Sequence, residues 1–534
     1  MHRCLTMPEI QALVFGCIQS WDLGTVTLAR LTRTCTAFKE TALDALWSDL
    51  ETLGLLVQVM PADLWTTTIE KGKRDQPIKI LRFTRGLQES DWSRFDYYAL
   101  RIRKLGFRTR HPLPIIYIHD TALKALIAFR PDSPLLPCLR EFKHASYYEP
   151  LHSTALPFIP SLLGDSVTAI SLWLLAVQVD ELCGLLSSLS QRCPGLSSVD
   201  LELSDTPTTP ETTSVIERFV CSLHGLKAIN LVPSLPASSP TLLHLANLPE
   251  LRLCHTLDIP FDANVAQLHE LFTAISGRFP RLDNFMFHVQ ALDQAASIIH
   301  SLQRPLGLLA VEVPQGLERP SIQPFPSLAK LTRCFAHHAC ASSLKHLSID
   351  GYNIEFEEVP SPDAIRGAYS SLFSLRALEA LDISLPFTSE LDDDWFAEAA
   401  RAWPHLTSLR VYHYHQGRPK LTLAGLIPLV VHCRHLHELT VIFSAEPFDL
   451  GLLPPGVCNL AITSLDLNDC PIDSPALVGE CLLAMFPNLT GTGYVSHDYE
   501  EEEENWQAWS MLEELLQERI EGSDDSGEAR MDVW

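Results

Sequence analysis

One phrase recurs along this chain with its parts in a fixed order: a helix-like stretch, an aromatic residue or Cys, Pro, one further residue, then Leu-x-x-apolar-x-apolar. It reads Cys193-Pro194-Gly195-Leu196-Ser197-Ser198-Val199-Asp200-Leu201, then Phe279-Pro280-Arg281-Leu282 running to Phe285 and Phe287, then Trp403-Pro404-His405-Leu406 running to Leu409 and Val411. Weaker copies stand at Cys433 to Val441 and at Phe486 to Leu489. Proline cannot continue a helix and biases its predecessor toward extended geometry, so each phrase marks a helix ending and a short strand beginning. Repetition of one such unit restricts the chain to a solenoid, in which each turn packs only on its neighbours.

The three-point pattern places strand starts at Leu139, Val167, Leu196, Leu226, Leu248, Leu282, Leu306, Leu344, Leu378, Leu406, Leu436, Ile462 and Leu489. Helical segments precede several of them, over Asp180 to Arg192, Leu268 to Arg278, Asp392 to Ala402 and Leu423 to His432. Alternate residues of a strand point to opposite faces. In Ile462-Thr463-Ser464-Leu465-Asp466-Leu467 the Ile and both Leu are therefore expected to face the core, with Ser464, Asp466 and Asn468 outward. At 534 residues the chain is too long for one compact core, which also favours an elongated array or several domains.

With Cys470 at the position where the repeat takes Asn or Cys, the stretch from Leu139 to Tyr494 resembles the leucine-rich repeat family; Ser204, Ser234 and Ser444 occupy that position elsewhere. The resemblance implies an α/β fold, a parallel sheet with helices on its outer side. An ordinary α/β domain with Leu-rich strands is the alternative.

Residues 7 to 50 form a separate helical segment. Pro8 and Glu9 suit a first helical turn, and Ile10, Leu13, Val14, Phe15 and Ile18 follow at helical spacing. Asp22 suits the cap of a second helix carrying Leu23, Val26, Leu28 and Leu31, and a third places Phe38, Leu43, Leu46, Trp47 and Leu50 on one apolar face. Three short helices bury little by themselves, so some of this apolar surface is available to a partner. The run Met7-Pro8-Glu9-Ile10, Val14-Phe15, Asp22-Leu23, Cys35-Thr36-Ala37-Phe38 and Ala42-Leu43-Asp44-Ala45-Leu46-Trp47 resembles the F-box, in the form found in many fungal F-box proteins. Gln11, Thr34 and Thr41 depart from it, standing where the family usually has Leu, Val and Pro. The resemblance implies docking on the Skp-type adaptor of a cullin ubiquitin ligase through Pro8, Ile10, Val14, Phe15, Leu23, Phe38, Leu43, Leu46 and Trp47. The alternative is that these helices cap the N-terminal end of the array.

Other functions find little support. A net charge of -25 argues against nucleic acid, whose phosphates require clustered Lys and Arg. Fourteen Cys without a CxxC pair suit free thiols in a reducing compartment. No signal peptide is visible, and the longest apolar run, Ala169 to Val179, is about half a membrane span. A cytosolic or nuclear protein with no membrane partner is expected. No G-x-S-x-G, P-loop or G-x-G-x-x-G is found, so neither an enzyme nor a cofactor is expected. Cys334-x-x-His337-His338-x-Cys340, and the group His432, Cys433, His435 and His437, fall where repeat elements belong and are read as packing. Asp392-Asp393-Asp394 opens a helix, where carboxylates complement the dipole, so no metal is expected there.

The domain plan is thus an F-box-like module over 1–50, a helical connector over 51–134, a leucine-rich-repeat solenoid over 135–495, and an acidic linker with a C-terminal amphipathic helix over 496–534. That helix carries Trp506, Trp509, Leu512, Leu515 and Leu516, and is expected either to cover the open end of the sheet or to serve as an acidic docking tail. The expected function is the substrate-recognition subunit of a Skp-cullin-F-box ligase, partnered by the adaptor, the cullin core and a protein substrate; a repeat scaffold with no ligase role is the alternative. Outward strand positions align across a parallel sheet. The substrate is therefore expected on a ladder of His346, Ser348, Asp350, Asp382, Arg410, Tyr412, Glu438, Thr440, Asp466 and Asn468, with Arg410 and Tyr412 foremost.

Overall fold

The computed structural model describes residues 7–517 apart from 20, 22, 72–76, 107–115, 132, 146–155, 208, 237–238, 260–263, 276, 303, 314–320, 352–353, 413–418, 467–469, 473, 493–506 and 515. Two compact units divide the chain, Met1–Leu235 and Pro236–Trp534.

The first unit opens with three helices, α1 (Pro8–Gln19), α2 (Gly24–Leu31) and α3 (Thr36–Trp47). Parallel strands follow in chain order: β1 (Asp49–Leu50), β2 (Lys104–Leu105), β3 (Glu141–Ala145), β4 (Ala169–Leu175), β5 (Ser198–Ser204) and β6 (Ala228–Pro236), each paired with its predecessor. The sheet therefore begins two strands before Leu139, where the sequence pattern starts. Strands of two residues are too short to carry a period. Residues 51–134, which the sequence led one to expect as a helical connector, hold strands as well. Beside helices Leu53–Val57, Trp92–Ala99 and Asp120–Phe129 they hold a small sheet, with Trp65–Lys71 antiparallel to Pro77–Phe83 and Ile116–Ile118 parallel to the latter. The β-branched run Thr66 to Ile69 and the alternation of Ile78 and Ile80 explain it, since both Ile side chains and Tyr117 share a buried cluster.

The second unit continues the same construction with β7 (Leu253–Ile259), β8 (Asn284–Val289), β9 (Leu308–Glu312), β10 (His346–Asp350), β11 (Ala380–Ser384), β12 (Ser408–Tyr412) and β13 (Glu438–Val441), again in chain order and parallel. A separate pair, β14 (Ser464–Leu465) with β15 (Gly491–Thr492), touches β13 through one bridge between Thr440 and Asp466. Twelve of the thirteen expected pattern starts lie two residues before an observed strand; Leu248 does not. Register sets Cys254 beside Phe285, so Leu251 rather than Leu248 is the first core position of that turn. The displacement arises because Cys254 stands where Leu is usual, and because a bulge between His255 and Leu257 places Thr256 inside.

Alternation produces the core. In β5 Val199, Leu201 and Leu203 are buried, and in β8 Phe285, Phe287 and Val289 are. The recurrent pre-proline residues close each helix. Cys193, Trp403 and Phe486 share φ between -122 and -128° and ψ between 61 and 75°, outside the α region, and all three are buried. A main-chain spine joins the turns: the Thr168 carbonyl accepts the N–H groups of Ser197 and Ser198 at 2.8 and 3.0 Å, and the Glu379 carbonyl those of Thr407 and Ser408 at 2.7 and 3.1 Å. This double acceptance recurs at most junctions, as far as the Thr407 carbonyl, which takes the N–H groups of His437 and Glu438 at 2.9 and 3.3 Å.

At the C-terminal end, residues 507–514 are helical. Trp509 is 1 % exposed and its indole Nε1 donates to the Cys470 carbonyl at 2.9 Å, while Leu512 is buried beside Gly479 of helix Pro475–Met485. This contact covers the last turn. Trp506 and Leu515 lie outside the described residues, and Leu516 is buried.

Candidate interaction surfaces

In the N-terminal module Phe15, Leu28 and Ala42 form the core, with Ile18, Leu31, Phe38, Ala45 and Leu46 packed around them and the Phe15 and Phe38 rings edge-to-face at 5.7 Å. Of the residues expected to dock an adaptor, Phe15 and Leu43 are buried inside the module. Ile10, Phe38, Leu46 and Trp47 are half-buried, and Trp47 lies 4.3 Å from the Tyr98 ring. Pro8, Val14 and Leu23 face outward, Leu23 being 71 % exposed. Their exposed neighbours include Leu13 and Val26, which sequence periodicity places on helix faces without distinguishing inside from outside, and Trp21, which that periodicity does not mark. Leu13, Val14, Trp21, Leu23 and Val26 thus leave much of the module's apolar surface exposed.

Two of the motif departures explain each other. Gln11 is buried, and the Thr41 hydroxyl donates to its Oε1 at 3.0 Å, so a hydrogen-bonded pair joins α1 to α3 where the family pattern has two apolar residues. The module is also clamped to the connector. Arg101 ion-pairs with Glu40 and Asp44 of α3, and the Tyr97 hydroxyl reaches Glu40 at 3.2 Å. The Arg101 bond holds the Glu40 carboxyl below its ordinary range.

On the outward face of the second unit, register brings the expected ladder together. One row runs Ser348, Asp382, Arg410, Thr440 and Asp466 on successive strands; another runs His288, Glu312, Asp350, Ser384 and Tyr412. Asn468 lies outside the described residues. The Arg410 guanidinium binds Glu438, through Nε at 3.1 Å, and reaches Asp382 at 3.9 Å. Ser408 donates to the other Glu438 oxygen at 2.7 Å, and these bonds hold the Glu438 carboxyl below its ordinary range. Burial pushes the Asp382 carboxyl up; Asp350, Glu438 and Glu312 add to that against the pull of Arg410. Arg410, Tyr412, Glu438 and Asp466 line one cleft of about 370 Å³ with His437, Thr440, Thr463 and Ser464.

Sequence reading missed the ladder's extension to His288, which meets Glu312 at 3.0 Å, and to Asp258, paired in register with His288. The strand pattern was visible there, but the displaced turn at Leu251 hid Asp258. Among the described residues no group of three His, Cys, Asp or Glu could hold a metal ion. No helix among them is long and apolar enough to cross a membrane. Their cysteines are free thiols.

Parallel strands with outer helices, a two-residue burial period and a shared main-chain spine define an α/β solenoid of leucine-rich-repeat type, preceded by a small all-α module. This is the architecture of a repeat scaffold. No protein-family model matches the chain. No curated protein matches it either. Among solved structures, the crystal structure of the Rad7 and Elc1 complex in yeast aligns over 59 % of this chain and 83 % of that chain, at 16 % identity and a TM-score of 0.33.

Proposed function

We propose that this protein is the substrate-recognition subunit of a Skp-cullin-F-box ubiquitin ligase, docking a Skp-type adaptor through its N-terminal helices and a protein substrate through the outward face of its strands. The observation that carries this reading is the exposure of Leu13, Val14, Trp21 and Leu23 on a module whose sequence resembles an F-box. Where such a side chain is a hot spot of an interface, its removal costs about 2 kcal/mol or more. The test is co-purification of the full chain with adaptor and cullin, compared with a Val14→Asp, Leu23→Asp variant. Loss of both partners at unchanged solubility is expected, and equal recovery overturns the assignment. Phe15→Ala serves poorly here, because Phe15 belongs to the module's own core.

A second reading is an interaction scaffold with no ligase role, in which the module caps the array. The Arg101 clamp between α3 and the connector favours it. Under that reading neither adaptor nor cullin co-purifies even with the unaltered chain.

A further inference from the structure

Between α3 and helix Trp92–Ala99 stand two cations that no carboxylate answers. The carboxylates on these two helices are Glu40, Asp44 and Asp96, and each is taken by an arginine, Glu40 and Asp44 by Arg101 and Asp96 by Arg130 at 2.7 Å. Asp91, just ahead of the second helix, is held by Arg85 at 2.8 Å. Lys39 and Arg94 are exposed, and neither forms an ion pair or a side-chain hydrogen bond among the described residues. Lys39 contributes to the field at Glu40, but that carboxylate is bonded by Arg101 and by the Tyr97 hydroxyl.

Both cations line one groove of about 420 Å³ with Leu43, Ser93, Tyr97 and Tyr98, and no carboxylate belongs to that lining among the described residues. Its aromatic part is set in advance. Tyr97 is 41 % exposed, with its hydroxyl on Glu40 at 3.2 Å and the Arg101 guanidinium 4.6 Å from its ring centroid. Tyr98 lies 4.3 Å from the Trp47 ring, and Leu43 is buried. A guanidinium and an ammonium bind a carboxylate through charge-assisted hydrogen bonds. Aromatic side chains already held in place lose little freedom when a partner covers them.

We propose that this groove docks an acidic protein segment, in which an Asp or Glu carboxylate bridges Arg94 and Lys39 while a neighbouring apolar side chain lies on Tyr97 and Tyr98. Charge selects the partner: the segment supplies the counter-charge that the two helices place on Arg101 and Arg130 instead. At a net charge of -25 the chain as a whole repels such a segment, so its capture depends on this local pair of cations. The groove requires neither Val14 nor Leu23, and its role stands apart from adaptor docking.

The probe is a fluorescein-labelled decapeptide, the sequence Ser-Glu-Glu-Leu-Glu written twice, titrated with the full chain and read by fluorescence anisotropy. The same peptide with Gln in place of every Glu is the control. Saturable binding of the Glu peptide alone is expected, weakened about tenfold or more by Lys39→Gln with Arg94→Gln. Ser93→Trp, at an exposed lining position, obstructs the groove without altering charge and should weaken binding similarly. Arg192→Gln with Lys227→Gln removes two exposed cations that line no part of the groove and should leave binding unchanged. Absence of saturable binding, equal binding of the Gln peptide, or equal weakening by the Arg192 and Lys227 pair overturns the proposal.

Discussion

Trp509 offers the sharpest test of how the array is closed. Its side chain is 1 % exposed, so nearly all of it leaves water when residues 507–514 dock on the last turn. A buried Trp removes roughly 200 Å² from solvent, which at about 25 cal/mol per Å² corresponds to about 5 kcal/mol as an upper bound. The bond from Nε1 to the Cys470 carbonyl adds about 1 kcal/mol. Mutational experience with buried aromatics brings the expected cost of Trp509→Ala to about 3–5 kcal/mol. Since each turn of a repeat protein is held by its neighbours, the loss should open the end of the array rather than the whole unit. Amide hydrogen exchange reads this directly. Protection in Pro475–Met485 should fall about a hundredfold or more, at about 1.4 kcal/mol per factor of ten, while Ala380–Ser384 keeps its protection. Unchanged exchange at 475–485 would refute the closure, and a uniform loss across the second unit would refute its local character.

Other consequences can be measured singly. Leu465→Ala should cost about 2–5 kcal/mol in denaturant unfolding, because Leu465 is 1 % exposed between turns, whereas Asp466→Ala should change stability little. Tyr369→Phe should cost about 1–3 kcal/mol, since the Tyr369 hydroxyl donates to the Pro386 carbonyl at 2.8 Å and both residues are buried; a neutral result would mean that the carbonyl finds another donor. Gly479→Ala should stabilise the last turn by up to about 1 kcal/mol, because a Cβ there meets Leu512 at an ordinary 3.7 Å and the helix gains propensity; a lower melting temperature would show that the contact is overfilled. The folded pKa of Asp382 is raised above its unfolded value near 3.9, so its ionisation costs stability increasingly as pH rises through that window, and the cost is fully present at pH 7. Asp382→Asn should therefore be near neutral at pH 3 and stabilising at pH 7; destabilisation at pH 7 would show that the attraction of Arg410 outweighs the neighbouring carboxylates.

Strand positions were legible because two periods coincide, the alternation within a strand and the recurrence of the phrase that ends each helix. Chance reproduces one of these but rarely both. Where a single element weakens, as with Cys254 and the bulge at Thr256, the pattern slides by three residues onto Leu248. Strands as short as Asp49–Leu50 and Lys104–Leu105 have no period to read and are fixed by tertiary pairing alone. In the N-terminal module, apolar residues occupy most of each helix surface, so spacing could not tell Phe15, which points in, from Val14, which points out. The ladder from Asp382 to Asp466 was accessible because outward positions follow from inward ones.

Strand order within each unit repeats chain order, and this bears on how the protein is made. Every strand of the long parallel sheet after the first in a unit finds its partner already synthesised. Turns can be laid down one at a time as the chain emerges, each new strand covering the open edge of the one before. An edge left bare is a hazard for aggregation, but here it persists only for the time needed to translate about thirty residues, a few seconds at ordinary elongation rates. Among the described residues no further strand follows the last edge. The final helix, carrying Trp509, emerges at that moment and does so in place of another turn.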